Sequence, residues 1–191
     1  MNDIQKKLLE KRKIDILGKI EPDTIKYVRE AFQALTLDNS PSITLTITSG
    51  GGDADVGLDI CDLLKFYTGH KIGVVHGYAN SMASIILQVC DWRVITPNAH
   101  ILIHHIRCSG FPLAALRDEK KLQEFIKDKL WLYHGYEILS ARTKKSLEEI
   151  FAECEKDKSM DAERSLAFGL VDQIIETEAE IKPPWQDESK K

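Results

Sequence analysis

The sequence predicts an α/β fold, from three observations. Short alternating apolar runs end at glycine, and each is followed by a stretch whose apolar residues return at three- and four-residue intervals. The pair recurs along the chain, and one junction carries three consecutive glycines, Gly50-Gly51-Gly52. A strand, a tight turn and a helix in repetition build a largely parallel sheet.

The elements follow in order. KIDILG (Lys13 to Gly18) alternates as a strand and ends in a glycine turn. Pro22 and Asp23 open a helix whose apolar residues Ile25, Val28, Ala31, Phe32 and Leu35 share one face, until LDNSPS breaks the pattern. In ITLTITSGGG, Ile43, Leu45 and Ile47 face one way and Thr44, Thr46 and Thr48 the other. A helix from Val56 to Tyr67 closes at Thr68-Gly69. KIGVVHG (Lys71 to Gly77) is the next strand, and Ser81 to Val89 the next helix. WRVIT (Trp92 to Thr96) and HILIHHI (His100 to Ile106) read as strands around the Pro97-Asn98 turn.

After Pro112, the residues Leu116, Leu122, Phe125, Ile126, Leu130, Tyr133 and Ile138 predict one long amphipathic helix. Helices from about Ser146 to Cys154 and Asp161 to Phe168 precede a strand-like LVDQII (Leu170 to Ile175). Residues 1–176 read as a single domain, and 177–191, with Pro183-Pro184 and mixed charge, as a polar, mobile tail.

The composition excludes several classes. A net charge of −4 gives no basic field for phosphates or an anionic bilayer, which argues against nucleic acid and membrane as partners. MNDIQKKLLEKRKID has no apolar signal core, and no apolar run approaches the length of a membrane span. Cys61, Cys90, Cys108 and Cys154 lack the close pairing of a zinc site and read as reduced thiols of a cytoplasmic protein. No metal or other cofactor is called for.

Two places could carry chemistry. The glycine run lacks both the phosphate-loop and the dinucleotide pattern, so by itself it is a tight turn. Ser81, in Ala79-Asn80-Ser81-Met82-Ala83, stands at a helix start without the G-x-S-x-G elbow, and locally a helix cap is the leading reading. A nucleophile would need a histidine base and an orienting acid. His70, His76, His100 and His134 read as surface or packing residues. Of His104 and His105, strand alternation lets only one face Ser81, without saying which. For the acid, Asp157, Asp161, Glu153, Glu155 and Asp172 all remain open.

Taken together and in order, TSGGG…GLDICD, GYANSMAS, TPNAHILIHH and EKDKSMDAERSLAFGLVDQII resemble the proteolytic subunits of the Clp protease family, over residues about 8 to 176. The resemblance implies the Clp/crotonase fold, a spiral of β-β-α units with a protruding helical handle. It implies a serine endopeptidase with a Ser-His-Asp triad: Ser81 as nucleophile, His104 as base and Asp157 as orienting acid. Gly52 and Met82 match the pair whose backbone N–H groups form the oxyanion hole. Ser109, Gly110 and Phe111 fall in the handle, where peptide or unfolded protein substrate adds as an extended strand. The implied assembly is a homo-oligomer of two stacked heptameric rings, with an AAA+ Clp ATPase as partner.

The chain departs from the family at several points. Ser49-Gly50-Gly51-Gly52 replaces Ser-Pro-Gly-Gly, and His104-His105-Ile106 replaces His-Gln-Pro. Asn80 stands where alanine is usual. Only seven residues precede Leu8, where relatives carry an axial loop, and Thr44 and Thr46 replace aromatic residues of the ATPase docking cleft. The alternatives are an acyl-CoA enzyme of the crotonase type and a non-catalytic ring subunit.

Overall fold

The computed structural model describes residues 1–107 and 117–186. Seven strands form one sheet: β1 (Lys13–Ile20), β2 (Ile43–Gly52), β3 (Lys71–Asn80), β4 (Trp92–Ile95), β5 (His100–Leu102), β6 (Met160–Asp161) and β7 (Gln173–Ile174). The main path runs β1-β2-β3-β4-β7 with every neighbour parallel. Helix α1 (Asp3–Glu10) leads into β1, and α2 (Pro22–Leu37), α3 (Ala54–Phe66) and α4 (Met82–Gln88) are the crossovers between the first four strands. This is the α/β fold that the alternation predicts.

The pattern in β2 explains the core. Ile43, Leu45 and Ile47 are buried among Val28, Phe32 and Leu35 of α2 and Ile60 and Leu64 of α3, while the threonines between them are only partly covered. Alternation has put one apolar row under two helices.

β3 changes partner along its length, and that change makes the site. Ile72–Val75 pair with β4, whereas Tyr78–Asn80 pair with β5. The strand therefore runs past the expected end at Gly77, because β5 gives its last three residues a ladder. The predicted strand His100 to Ile106 is in turn shorter than expected. It stops at Leu102, opposite Asn80, since β3 ends there and leaves the following residues no partner.

The long helix expected after Pro112 is also interrupted. Within the described residues it consists of α5 (Glu119–Lys129), a 3-10 turn (Leu130–Tyr133) and α6 (His134–Thr143). α5 buries none of its residues, the exposure expected of a handle. α6 returns to the body, where Gly135 approaches α4 so closely that a Cβ there would stand 2.9 Å from Ile85 Cδ1. Helices α7 (Leu147–Cys154) and α8 (Ala162–Phe168) lie where the periodicity puts them.

Arg93 of β4 is buried and reaches the C-terminal segment. Its Nε and Nη2 donate to the two carboxylate oxygens of Asp172 at 2.9 and 2.5 Å, and Nη1 donates to the carbonyl of Gly169 at 2.9 Å. Gln88 of α4 accepts from the same guanidinium. Beyond Asp172, residues 177–186 cross back over the domain. Glu178 pairs with Lys13 at 2.8 Å, Ile181 packs beside Val74 and Val94, and Trp185 stacks on His70 with ring centres 4.2 Å apart.

Candidate active site

Ser81 occupies the junction of β3, β5 and α4. Its amide donates to the carbonyl of Leu102 at 2.8 Å, and its own carbonyl accepts from the Ser84 amide and hydroxyl at 2.9 and 2.6 Å. The backbone is held at φ 54°, ψ −126°, and the side chain makes no capping bond to α4. The cap suggested by the local sequence is therefore absent, because a capping residue needs extended backbone to aim its oxygen at the helix N–H groups. Held in this strained turn, the hydroxyl is free of structural work.

The glycine run closes over the serine. Gly51 lies at φ 89°, and a Cβ there would stand 2.7 Å from Ser81 Cβ and from the Asn80 carbonyl oxygen, and 3.0 Å from Met82 N. Only a glycine lets the end of β2 pass this close. Gly52 is pinned from the other side, where a Cβ would fall 2.2 Å from the carbonyl oxygen of Ile20. Ser49 accepts the Gly51 amide on its hydroxyl at 3.1 Å, shaping the turn.

Gly52, Ser81, Met82 and His104 line one cavity of about 320 Å³. His104 and His105 diverge even though the strand has ended. His104 faces the cavity, while His105 lies against Tyr136, its Nδ1 3.2 Å from the phenol oxygen. Tyr136 Oη also accepts the amide of Ile106 at 3.0 Å, so one hydroxyl holds the segment that presents His104. Nothing in the helical periodicity distinguished Tyr136.

His104 Nδ1 lies 2.7 Å from the carbonyl oxygen of His105. A carbonyl only accepts, so the neutral ring making this bond carries its proton on Nδ1 and leaves Nε2 as an acceptor. Asp157 is placed differently. It lies at φ 45°, does not line the cavity, and its Oδ2 is 3.2 Å from Nη2 of Arg107. The structure thus gathers four of the five residues of the implied machinery, with Asp157 held apart from the histidine.

The other acids have structural partners. Asp172 binds Arg93, buried Glu153 is shared by Lys156 and Arg164, Glu155 stands 3.4 Å from His105, and Asp161 caps α8 through the Arg164 amide at 2.8 Å. Among the remaining histidines, His134 pairs with Glu137 at 2.7 Å and His100 stacks on Tyr78. Asn80 Oδ1 is buried without a hydrogen bond among the described residues. Ser109, Gly110 and Phe111, the expected substrate strand, lie outside the described residues.

Comparison with known proteins decides the family, since the Clp protease family matches residues 1–178, nearly the whole chain. The chain belongs to the Clp protease family. The ATP-dependent Clp protease proteolytic subunit of Carsonella ruddii (strain PV) is 31% identical over 176 residues, covering 91% of this chain and 88% of that one. The protein of the same description from Streptococcus mutans serotype c (strain ATCC 700610 / UA159) is 31% identical over 188 residues, covering 91% and 89%. The crystal structure of the ClpP protease catalytic domain from Plasmodium falciparum matches with a TM-score of 0.77 at 26% identity, over 96% of this chain and 94% of that one. As a Clp protease family member the chain is a serine-type peptidase, and its α/β fold is the family's.

Proposed function

We propose that the chain cleaves peptides and unfolded proteins with Ser81 as nucleophile, His104 as base and Asp157 as orienting acid. The observation that supports this most is Ser81 itself, excused from capping and facing one cavity with His104, Gly52 and Met82. Ser81 Oγ attacks the scissile carbonyl carbon as its proton passes to His104 Nε2. The carbonyl oxygen, now anionic, accepts the N–H groups of Gly52 and Met82. His104 then returns the proton to the leaving amine, the C–N bond breaks, and an ester remains on Ser81. Water gives its proton to His104 as it attacks that ester; the C–O bond breaks, His104 returns the proton to Ser81 Oγ, and the acid product leaves.

For Asp157 to take part, His104 Nδ1 exchanges the His105 carbonyl for the Asp157 carboxylate. The reading further assigns substrate addition as a strand to Ser109, Gly110 and Phe111, and assembly as two stacked heptameric rings in the cytoplasm, with an AAA+ Clp ATPase as the partner. No helix among the described residues is long and apolar enough to cross a membrane.

A fluorophosphonate probe tests the chemistry. Labelling at Ser81, with peptide hydrolysis abolished in Ser81→Ala, is the expected result. Hydrolysis that survives the substitution overturns the reading, and correct assembly without labelling would favour a non-catalytic ring subunit. Light scattering with and without the ATPase measures the assembly, and a monomer under all conditions rules out the rings.

A further inference from the structure

Two adjacent histidines lie just beyond the end of β5, and their surroundings bind them differently. His104 lines the cavity with Ser81, and its Nδ1 bonds the His105 carbonyl, which leaves Nε2 as an acceptor. His105 is engaged on both ring nitrogens. Its Nδ1 lies 3.2 Å from Tyr136 Oη, and its Nε2 lies 3.4 Å from Glu155 Oε1. The phenol oxygen of Tyr136 accepts the Ile106 N–H at 3.0 Å, and a phenol that accepts on its oxygen can still donate its proton, here to His105 Nδ1. A neutral His105 that accepts there carries its hydrogen on Nε2, where the Glu155 carboxylate receives it. The neighbouring rings are thereby held in opposite tautomers.

The frame that carries Tyr136 is closely seated. A Cβ on the preceding Gly135 would stand 2.9 Å from Ile85 Cδ1 of α4 and 3.5 Å from Ile106 Cδ1. Phe151 of α7 meets the Tyr136 ring at 85°, with centres 4.9 Å apart. We infer that Tyr136 is a positioning residue for the proposed base: its hydroxyl fixes the backbone that presents His104 and commits His105 to the tautomer whose Nε2 cannot take the Ser81 proton. The inference rests on the proposed role of His104. Neither Tyr136 bond uses the His105 carbonyl, so the hold persists when His104 Nδ1 turns from that carbonyl to Asp157. Tyr136 works through His104, and misplacing a catalytic group by about 1 Å costs on the order of 100-fold in rate.

The test uses Tyr136→Phe, which removes the hydroxyl and keeps the ring on Phe151. Peptide hydrolysis should lose about 10-fold in kcat with KM within about 2-fold, because an interaction that only places the base does not weaken substrate binding. Fluorophosphonate labelling of Ser81 should slow in the same proportion. An unchanged kcat, or a loss carried by KM alone, overturns the inference. Rescue by a conservative variant separates positioning from packing. Glutamine at 105 offers an acceptor to Tyr136 and a donor to Glu155, so His105→Gln should keep kcat within about 2-fold while His105→Leu loses about 5-fold. Equal impairment of the two overturns the inference. Hydrogen exchange resolved to single residues needs no variant. The wild-type Ile106 N–H should exchange at least about 10-fold more slowly than in an unstructured chain, and exchange at the unstructured rate overturns the inference. The two readings fail separately. Absence of any Ser81 labelling in the wild type removes the proposed function, whereas labelling at one rate in wild type and Tyr136→Phe removes only the role of Tyr136.

Discussion

Arg107 holds Asp157: Nη2 of the guanidinium stands 3.2 Å from Oδ2 of the carboxylate, at the end of the segment that carries His104. In the proposed mechanism Arg107 and His104 thus compete for one acid. Both partners of the ion pair are largely exposed, so it is worth about 0–1 kcal/mol. Arg107→Gln should therefore raise peptide hydrolysis by about 2- to 5-fold at low salt. The gain should shrink as ionic strength screens the wild-type pair, which a salt series of kcat values measures.

The His105 carbonyl already keeps the imidazole proton on Nδ1. Asp157→Asn should consequently cost less than the roughly 10⁴-fold drop in kcat seen where the acid alone fixes the tautomer. A loss of about 10- to 100-fold is expected, with charge stabilisation of the imidazolium as the part removed. Single-turnover acylation by an activated ester separates this loss from any change in substrate binding.

Ser81 trades stability for position. A side-chain-bearing residue at φ 54°, ψ −126° costs on the order of 1–3 kcal/mol, and glycine adopts such a turn without strain. Ser81→Gly should abolish hydrolysis yet raise stability by about 1 kcal/mol, or about 2–4 °C in Tm for a chain of this size. Thermal unfolding followed by circular dichroism gives the sign directly.

Burial pushes the Cys90 thiol up to about 12 and the Cys154 thiol up to about 11, and raises that of Cys61 as well. Unfolded thiols ionise near pH 8.5. The stability these buried protons contribute is thus fully present below about pH 8.5 and is lost as pH climbs toward the folded values. Urea midpoints should fall between about pH 8.5 and 9.5, before unfolded tyrosine ionises, and Cys90→Ala should flatten that slope. All three thiols should resist iodoacetamide in the folded protein.

The parallel βα units were legible because glycine turns and two distinct periods mark them, as in ITLTITSGGG and the helix after it. The start of α1 is marked in the sequence by the Asn2-Gln5 capping box, although the surrounding charge masks its helical period. The backbone of Ser81 was not. Its turn is imposed by β5 through the Leu102 carbonyl, a contact more than twenty residues away that no local pattern contains. Alternation allowed only one of His104 and His105 toward Ser81 without saying which, and with the strand ended at Leu102 it is the Tyr136 hydroxyl that holds His105 away from the cavity His104 lines. The break at Leu130–Tyr133 is hidden inside an unbroken helical rhythm. The Arg107–Asp157 pair joins residues fifty positions apart, a contact that no local pattern contains.

The Arg93 network orders events during synthesis. β1 to β4 and their crossover helices emerge from the ribosome first, but the buried guanidinium on β4 finds its carboxylate at Asp172, 79 residues later. Until that segment arrives, the half-built sheet holds a cation that must stay hydrated, so β4 cannot be sealed into the interior. At translation rates of about 5–20 residues per second, this leaves the nascent chain open for several seconds. Chaperones, and proteases that clear unfinished chains, therefore meet this polypeptide with β4 still unsealed, and closure of that edge of the sheet waits on Asp172.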